Sequence, residues 1–435
     1  MDVKKPIYCA LAFGSASINS HGEYIPCCNI RSDYWRRYQG KGMPNDDPYI
    51  KINTPNLRQL RKELISGTWP NACLNCKEAE EAGADSMRTI WNSSFQEKFK
   101  DGVPMIEQVS NRNIHYLDLT FSTKCNSKCM TCGPYLSDFW EEENEVIWQL
   151  KGEKRTYRRI CIDDTTAEKI VRDFPNVEII SFIGGEPTIS EEHIKFLNLL
   201  VSTGRSKNIR LNYVTNLTGF NDELTLLWEN FKNVGLSVSI DGYGKVNEYI
   251  RYPFKWSKTE TNLRMFLELC KKNPNKFGIG LSCTLSVFNA IQSMDLFEFW
   301  FDTLIEYKID KTTLAHVVGC FVNRVTFPNY TRIGLLSKEY RKAGIEKGHR
   351  LLEKINNYIE QNPNSVNKGI TDSIKLTMLW LEDEEITDPK IHANNHNLIT
   401  ASDKFRNRNL KDYIPELHDE LEKVWNMYVE GSTKL

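Results

Sequence analysis

The stretch Leu117-Asp-Leu-Thr-Phe-Ser-Thr-Lys-Cys125-Asn-Ser-Lys-Cys129-Met-Thr-Cys132-Gly-Pro134 decides how this chain is read. A β-rich run ends near Phe121, and three cysteines follow with Cys-x3-Cys-x2-Cys spacing. Positions i, i+4 and i+7 also mark one helix face, so a buried cysteine stripe is the plain alternative. Against it, Asn126, Ser127 and Lys128 suit a polar loop, and Gly133-Pro134 would stop a helix. A closed structural zinc site takes four ligands, and no nearby residue is an obvious fourth. Three thiolates suit a four-iron cubane, which keeps one iron without a protein ligand and free to take a small chelating molecule.

Outward from the triplet, short β-rich runs alternate with segments of helical period. Strands are expected at 115–121, 177–183, 209–215, 234–240, 277–287 and 312–320, and helices at 166–174, 193–202, 222–231, 260–271 and 291–307. Thr165 and Glu168 have capping-box spacing, which supports a helix start there. Six β–α units imply parallel strands joined by right-handed crossovers, hence an α/β barrel or an open doubly wound sheet. Both architectures put ligands at the carboxyl ends of the strands. Between the first two strands, residues 135–159 carry an acidic run from Glu141 to Glu145 and a basic run from Lys151 to Arg159, expected as a solvated helix pair. Beyond about residue 325 amphipathic helices take over, at 338–361, 372–384 and 414–428. The expected organisation is thus 1–112, 113–325 and 326–435.

With 435 residues the chain is long enough for two or three cores. Its 56 basic side chains nearly cancel 57 acidic ones, so no global field favours nucleic acid or an anionic membrane. The apolar run 7–13 is too short for a signal-peptide core, and no run of about 18 apolar residues follows. A cytosolic location is therefore expected, where twelve cysteines point to metal or redox chemistry rather than disulfides. The isolated Cys161, Cys270, Cys283 and Cys320 read as small buried hydrophobes.

The segment Ile183-Gly184-Gly185-Glu186-Pro187 ends the second expected strand. Its glycines allow close backbone approach, and its carboxylate is a natural acceptor for ammonium donors. Together with the cysteine spacing it resembles the radical S-adenosylmethionine (SAM) superfamily, whose cysteine triplet follows the first strand of a partial barrel. The resemblance implies a partial (β/α)6 TIM-like barrel, a 4Fe-4S cluster on Cys125, Cys129 and Cys132, and SAM bound through Gly184, Gly185, Glu186 and Pro187. It extends to Thr215-Asn216 after the third strand, Ser239 and Asp241 after the fourth, and Thr284 on the fifth, where the family places polar contacts to SAM. Arg251 resembles a carboxylate-binding arginine, suited to bidentate pairing. The aromatic residue usual before the third cysteine is Thr131 here, which leaves Met130, Val287 or Phe288 to pack the adenine.

Upstream, Cys9, Cys27, Cys28, Cys73 and Cys76 form a second group. Residues 9–28 read as two β runs joined by a turn at His21-Gly22, and a helix is expected at 57–65. Four thiols from a hairpin and a Cys-x2-Cys loop make a tetrathiolate site for zinc or for iron–sulfur. The arrangement resembles the auxiliary-cluster module called twitch, a shortened relative of the SPASM domain, here placed before the barrel. The resemblance implies Cys9, Cys27, Cys73 and Cys76 as ligands, with Cys28 the rival of Cys27.

The resemblance further implies reductive cleavage of SAM to methionine and a 5′-deoxyadenosyl radical that takes hydrogen from a substrate. A peptide or protein substrate is expected, with flavodoxin or ferredoxin as electron donor and no membrane or nucleic-acid partner. RNA modification, or a non-catalytic metal-stabilised binding module, are the competing readings. Cys320, at the expected end of the last strand, is a candidate hydrogen donor to the substrate radical.

Overall fold

A computed structural model of the chain describes residues 5–19, 23–31, 48–98, 104–149, 162–309, 319–363 and 368–430. Its strands are β1 (Ser15–Ile18), β2 (Tyr24–Ile25), β3 (Tyr116–Thr120), β4 (Lys128–Cys129), β5 (Ile179–Ile183), β6 (Arg210–Thr215), β7 (Asn233–Ser239), β8 (Arg251–Tyr252), β9 (Phe277–Leu285) and β10 (Cys320–Arg324). The sequences Tyr-Leu-Asp-Leu-Thr of β3 and Ile-Ile-Ser-Phe-Ile of β5 are near-continuous apolar runs, as strands covered on both faces require.

Among the described residues these strands form one mostly parallel sheet of eight, in the order β10-β9-β7-β6-β5-β3-β1-β2, and a separate antiparallel pair, β4-β8. The fold is α/β. From β3 onward, spatial order follows chain order, and β1 lies beyond β3 with β2 antiparallel on its far side. In-register pairing aligns Ser17, Asp118, Ser181 and Asn212 across β1, β3, β5 and β6. They form a polar row through an otherwise apolar sheet: Ser17 Oγ donates to Asp118 Oδ2 at 3.4 Å and Asn212 Nδ2 to Ser181 Oγ at 3.3 Å.

The chain divides into two compact units. The first comprises Met1–Lys124, Arg158–Thr215 and Gly219–Leu236; the second comprises Cys125–Tyr157, Asn216–Thr218 and Ser237–Leu435. Within the first, the helix Pro55–Ile65 turns Arg61 inward, where its guanidinium donates to the carbonyls of Ala12, Ile52 and Glu107. Within the second, the helix Lys338–Gln361 starts at Ser337, whose side chain accepts from the Tyr340 amide. It packs beside Lys368–Leu381, while Pro389–Phe405 and Pro415–Trp425 complete the helical C-terminal part. No described helix is long and apolar enough to cross a membrane.

Several expectations change. Ala10–Gly14 is a short helix rather than part of a β run, and the turn expected at 21–22 lies outside the described residues. Because β1 pairs parallel with β3, the N-terminal segment contributes a strand to the main sheet. The helix expected at 166 starts at Asp164, capped by Asp163 rather than by a box at Thr165. A carboxylate oxygen at 163 reaches the Thr166 amide at 2.8 Å and makes the later box unnecessary. The acidic run forms the short helix Glu141–Ile147, and it is not wholly solvated. Glu143 is fully buried because Arg406 and Lys128 neutralise it. Most of the basic run, with Cys161, lies outside the described residues.

Residues 312–318 of the strand expected at 312–320 lie outside the described residues; the described strand starts at Cys320, opposite Leu281 of β9, and runs to Arg324, opposite Leu285. The strand continues past Cys320, which therefore stands away from the carboxyl end where the hydrogen-donor reading had placed it. It is buried, its carbonyl accepts from Ser373 Oγ at 2.8 Å, and burial pushes its thiol up to about 12.

Candidate active site

In the first unit, β5 ends in the turn Gly184-Gly185-Glu186-Pro187. Both glycines take positive φ, +76° and +55°, a region that L side chains rarely adopt. A Cβ on Gly185 would strike the carbonyls of Lys124 and Ser122, the latter at 2.8 Å. The turn is thus laid directly on the backbone of Ser122 and Lys124, in the segment that leads in the chain to Cys125. The Glu186 amide donates to the Lys124 carbonyl at 2.8 Å and fixes that contact. The Glu186 side chain is buried, and its Oε1 accepts from the Thr188 amide (3.1 Å), Thr188 Oγ1 (2.5 Å) and Thr215 Oγ1 (2.7 Å). Three donors on one oxygen hold the carboxylate aimed.

Also in the first unit, the early cysteines lie in one electrostatic neighbourhood. Burial pushes the Cys9 thiol up to about 11 and those of Cys27 and Cys73 well above the ordinary range. Each raises the others: Cys27 feels Cys28, Cys76, Cys73 and Cys9, and Cys73 feels Cys9 and Cys76. Arg88 stands beside Cys9 and Cys76, pinned by Glu80 (Nε at 2.9 Å) and the Tyr8 carbonyl (2.5 Å) and lying over the Trp69 ring at 5.4 Å. Asn29 Nδ2 donates to Cys76 Sγ at 3.5 Å. Cys28 differs, because its thiol faces the fully buried carboxyl of Asp118, which burial raises to about 6.

In the second unit, the loop bearing the triplet is braced at almost every residue. β4 pairs with β8, so Cys129 lies opposite Arg251, and the Met130 amide donates to the Ile250 carbonyl at 2.8 Å. The Cys125 amide donates to Asp138 Oδ1 (3.1 Å), Trp140 Nε1 to the Cys129 carbonyl (3.1 Å) and Ser137 Oγ to the Ser127 carbonyl (2.9 Å). Burial first, and then the neighbouring Cys129 and Cys125, push the Cys132 thiol up. Cys129 Sγ has Ser127 Oγ at 3.0 Å and Arg251 Nη1 at 3.7 Å.

Asn216 Nδ2 donates to Asn126 Oδ1 (2.9 Å), and Asn126 Nδ2 to Thr218 Oγ1 (2.8 Å), which ties the first residue of the loop to the turn after β6. Ser239 is the last residue of β7. Asp241 is fully buried, accepts from the Thr284 amide at 2.8 Å and ion-pairs with Arg251 Nε at 2.8 Å. Burial alone would lower Arg251, but Asp241 and the Cys129 sulfur together raise it. Met130, Val287 and Phe288, expected against adenine, are buried core residues, and the Met130 sulfur is taken by Arg406 and Arg408.

Among the described residues no three His, Cys, Asp or Glu side chains come together as a metal-ion site. Sequence reading missed Asn126, Ser127, Thr188, Thr218 and Asp118, ordinary polar residues that matter only through these contacts. Arg406 and Arg408 lie beyond any local signal, since the Arg406 contact to Lys128 spans 278 residues.

No family model matches the chain, and no curated protein sequence does. Among solved structures, Streptococcus suis SuiB bound to the precursor peptide SuiA aligns at 18% identity and TM-score 0.38, over 68% of this chain and 61% of that one. Native anSMEcpe with bound AdoMet aligns at 18% identity and TM-score 0.39, over 66% of this chain and 82% of that one. The same enzyme with AdoMet and Cp18Cys peptide gives 18% and 0.38, over 59% and 68%. This chain thus spans about three fifths of SuiB. Likeness at this level carries no argument about activity.

Proposed function

We propose that this chain is a radical SAM enzyme with an auxiliary iron–sulfur cluster. Residues 113–325 are read as the partial barrel, 1–112 as the twitch-like module and 326–435 as a helical region. Cys125, Cys129 and Cys132 would hold the 4Fe-4S cluster that binds SAM, and Cys9, Cys27, Cys73 and Cys76 the second cluster. The observation that carries this reading is the Gly-Gly-Glu-Pro turn, folded by two left-handed glycines onto the backbone of Ser122 and Lys124, in the segment that leads into Cys125. A turn of that kind is otherwise only a turn; set there, it would offer the Glu186 carboxyl group to an ammonium group.

When bound, the cluster and SAM supply a 5′-deoxyadenosyl radical able to take hydrogen from an unactivated carbon. The chain's residues would bind and orient. Glu186, held by Thr188 and Thr215, accepts from the SAM ammonium, and the Gly184-Gly185 backbone permits close approach. Asn216 fixes the turn after β6, and Thr284 and Asp241 set the guanidinium of Arg251. A peptide or protein is the substrate class that the twitch-like resemblance favours, with flavodoxin or ferredoxin as reductant.

The test is anaerobic reconstitution with iron and sulfide, reduction with dithionite, and chromatography for 5′-deoxyadenosine. The wild-type chain is expected to form it, and Cys125→Ala, Cys129→Ala and Cys132→Ala are expected not to. A fully loaded wild-type protein that leaves SAM intact would overturn the proposal.

A further inference from the structure

The second unit contains a buried cationic cluster that the proposed chemistry does not yet use. Arg406, at the C-terminal end of the helix Pro389–Phe405, has a side chain with 0% exposure. Its Nη2 donates to the Lys128 carbonyl at 2.9 Å, and its Nη1 lies 3.2 Å from Met130 Sδ. These are the two residues that flank Cys129. Its Nε pairs with Glu143 at 2.8 Å, and its plane lies 4.9 Å from the ring centroids of both Trp140 and Tyr252. Arg408 follows with Nη2 at 3.3 Å from the same sulfur, Nη1 on the Tyr249 carbonyl and Nε facing Asp403 at 3.3 Å. Lys128 Nζ stands 3.6 Å from Glu143.

Placing several cations in a dry interior is expensive unless each is compensated. Among the described residues, the ion pairs of Lys128, Arg251, Arg406 and Arg408 are with Glu143, Asp241 and Asp403. Burial drags Arg406 down, and Arg408 beside it adds to the drop, yet at about 10 it stays protonated at neutral pH. One positive charge is left over, buried around a loop whose three thiols become thiolates on binding metal. Excess positive charge in a medium of low dielectric favours the reduced, more negative state of a neighbouring redox centre.

We propose that Arg406 and Arg408 are positioning residues that clamp Lys128 and Met130 on either side of Cys129 and raise the reduction potential of the cluster held there. The C-terminal helices then belong to the redox centre. This inference rests on the cluster assignment to Cys125, Cys129 and Cys132.

The experiment uses the full chain carrying its clusters and reads the midpoint potential of the triplet-bound cluster by EPR-monitored titration, with iron content measured in parallel. The variants are Arg406→Met, Arg406→Lys and Glu143→Gln. Arg406→Met is expected to lower the reduced-to-oxidised ratio at fixed potential about tenfold, equivalent to about 59 mV for one electron. Glu143→Gln should move it the opposite way, and Arg406→Lys should stay near wild type because the charge is kept. Equal potentials in all variants, shifts that ignore the sign of the charge, or loss of iron from the Lys and Met variants alike would each overturn the proposal. Failure of the underlying assignment is distinguishable, because Cys129→Ala would then keep the same EPR signal as wild type.

Discussion

Asp241 Oδ2 lies 2.8 Å from Arg251 Nε, and the same guanidinium presents Nη1 to Cys129 Sγ at 3.7 Å. A carboxylate with no exposure thus acts on a thiol 122 residues before that arginine through one intervening cation. Asp241→Asn leaves Arg251 buried without its counter-charge. It should destabilise the protein by about 3–5 kcal/mol, the usual cost of breaking a buried pair, read from chemical unfolding. A loss below about 1 kcal/mol would mean that the pair is not held in the folded protein.

Gly185 and Gly204 both have positive φ but differ in surroundings. Around Gly204 a Cβ would meet nothing within 4 Å, whereas at Gly185 it would strike two backbone carbonyls. Gly204→Ala should cost only the left-handed strain, about 1–2 kcal/mol. Gly185→Ala should cost more, and should also displace Lys124 and weaken SAM binding measured by calorimetry. Similar behaviour of the two variants would count against the close approach.

His193 is buried, and its Nε2 lies 2.9 Å from Tyr213 Oη. Burial lowers it to about 3. A histidine more acidic in the folded state than in the unfolded one takes up protons on unfolding, so its contribution is complete above pH 6.5 and is lost as pH falls toward 3. Between pH 6.5 and 5 this one residue should remove about 2 kcal/mol of stability. His193→Gln should flatten that part of the pH profile in denaturant titrations, and an unchanged slope would refute the assignment.

Cys27 interacts with all four other early cysteines, while Cys28 is directed at Asp118. Cys27→Ala should therefore lose the iron of the second cluster, whereas Cys28→Ala should retain it, as measured by iron and sulfide content of the reconstituted protein. The reverse result would exchange the two ligands.

Periodicity made the β–α alternation legible, because strands such as Ile179–Ile183 and helices such as Trp256–Lys272 carry their burial pattern in consecutive residues. The ends were less legible. Asp163 outcompetes Thr165 as a cap, and Cys320 does not close its strand, since pairing with β9 and not local propensity carries β10 on to Arg324. The glycine turn was readable because only glycine tolerates both the φ values and the carbonyls beneath it. The burial of Glu143 was not, because an acidic run reads as solvated until its partner is known, and that partner is 263 residues away.

That separation also orders events in time. A ribosome makes Cys125, Cys129 and Cys132 long before it reaches Arg406, whose guanidinium fills the Lys128 carbonyl across 278 residues. Until the C-terminal helices emerge, the thiol loop lacks its clamp. On the proposed assignment a nascent chain would therefore accept a cluster late, and a polypeptide truncated before residue 400 should fail to hold one.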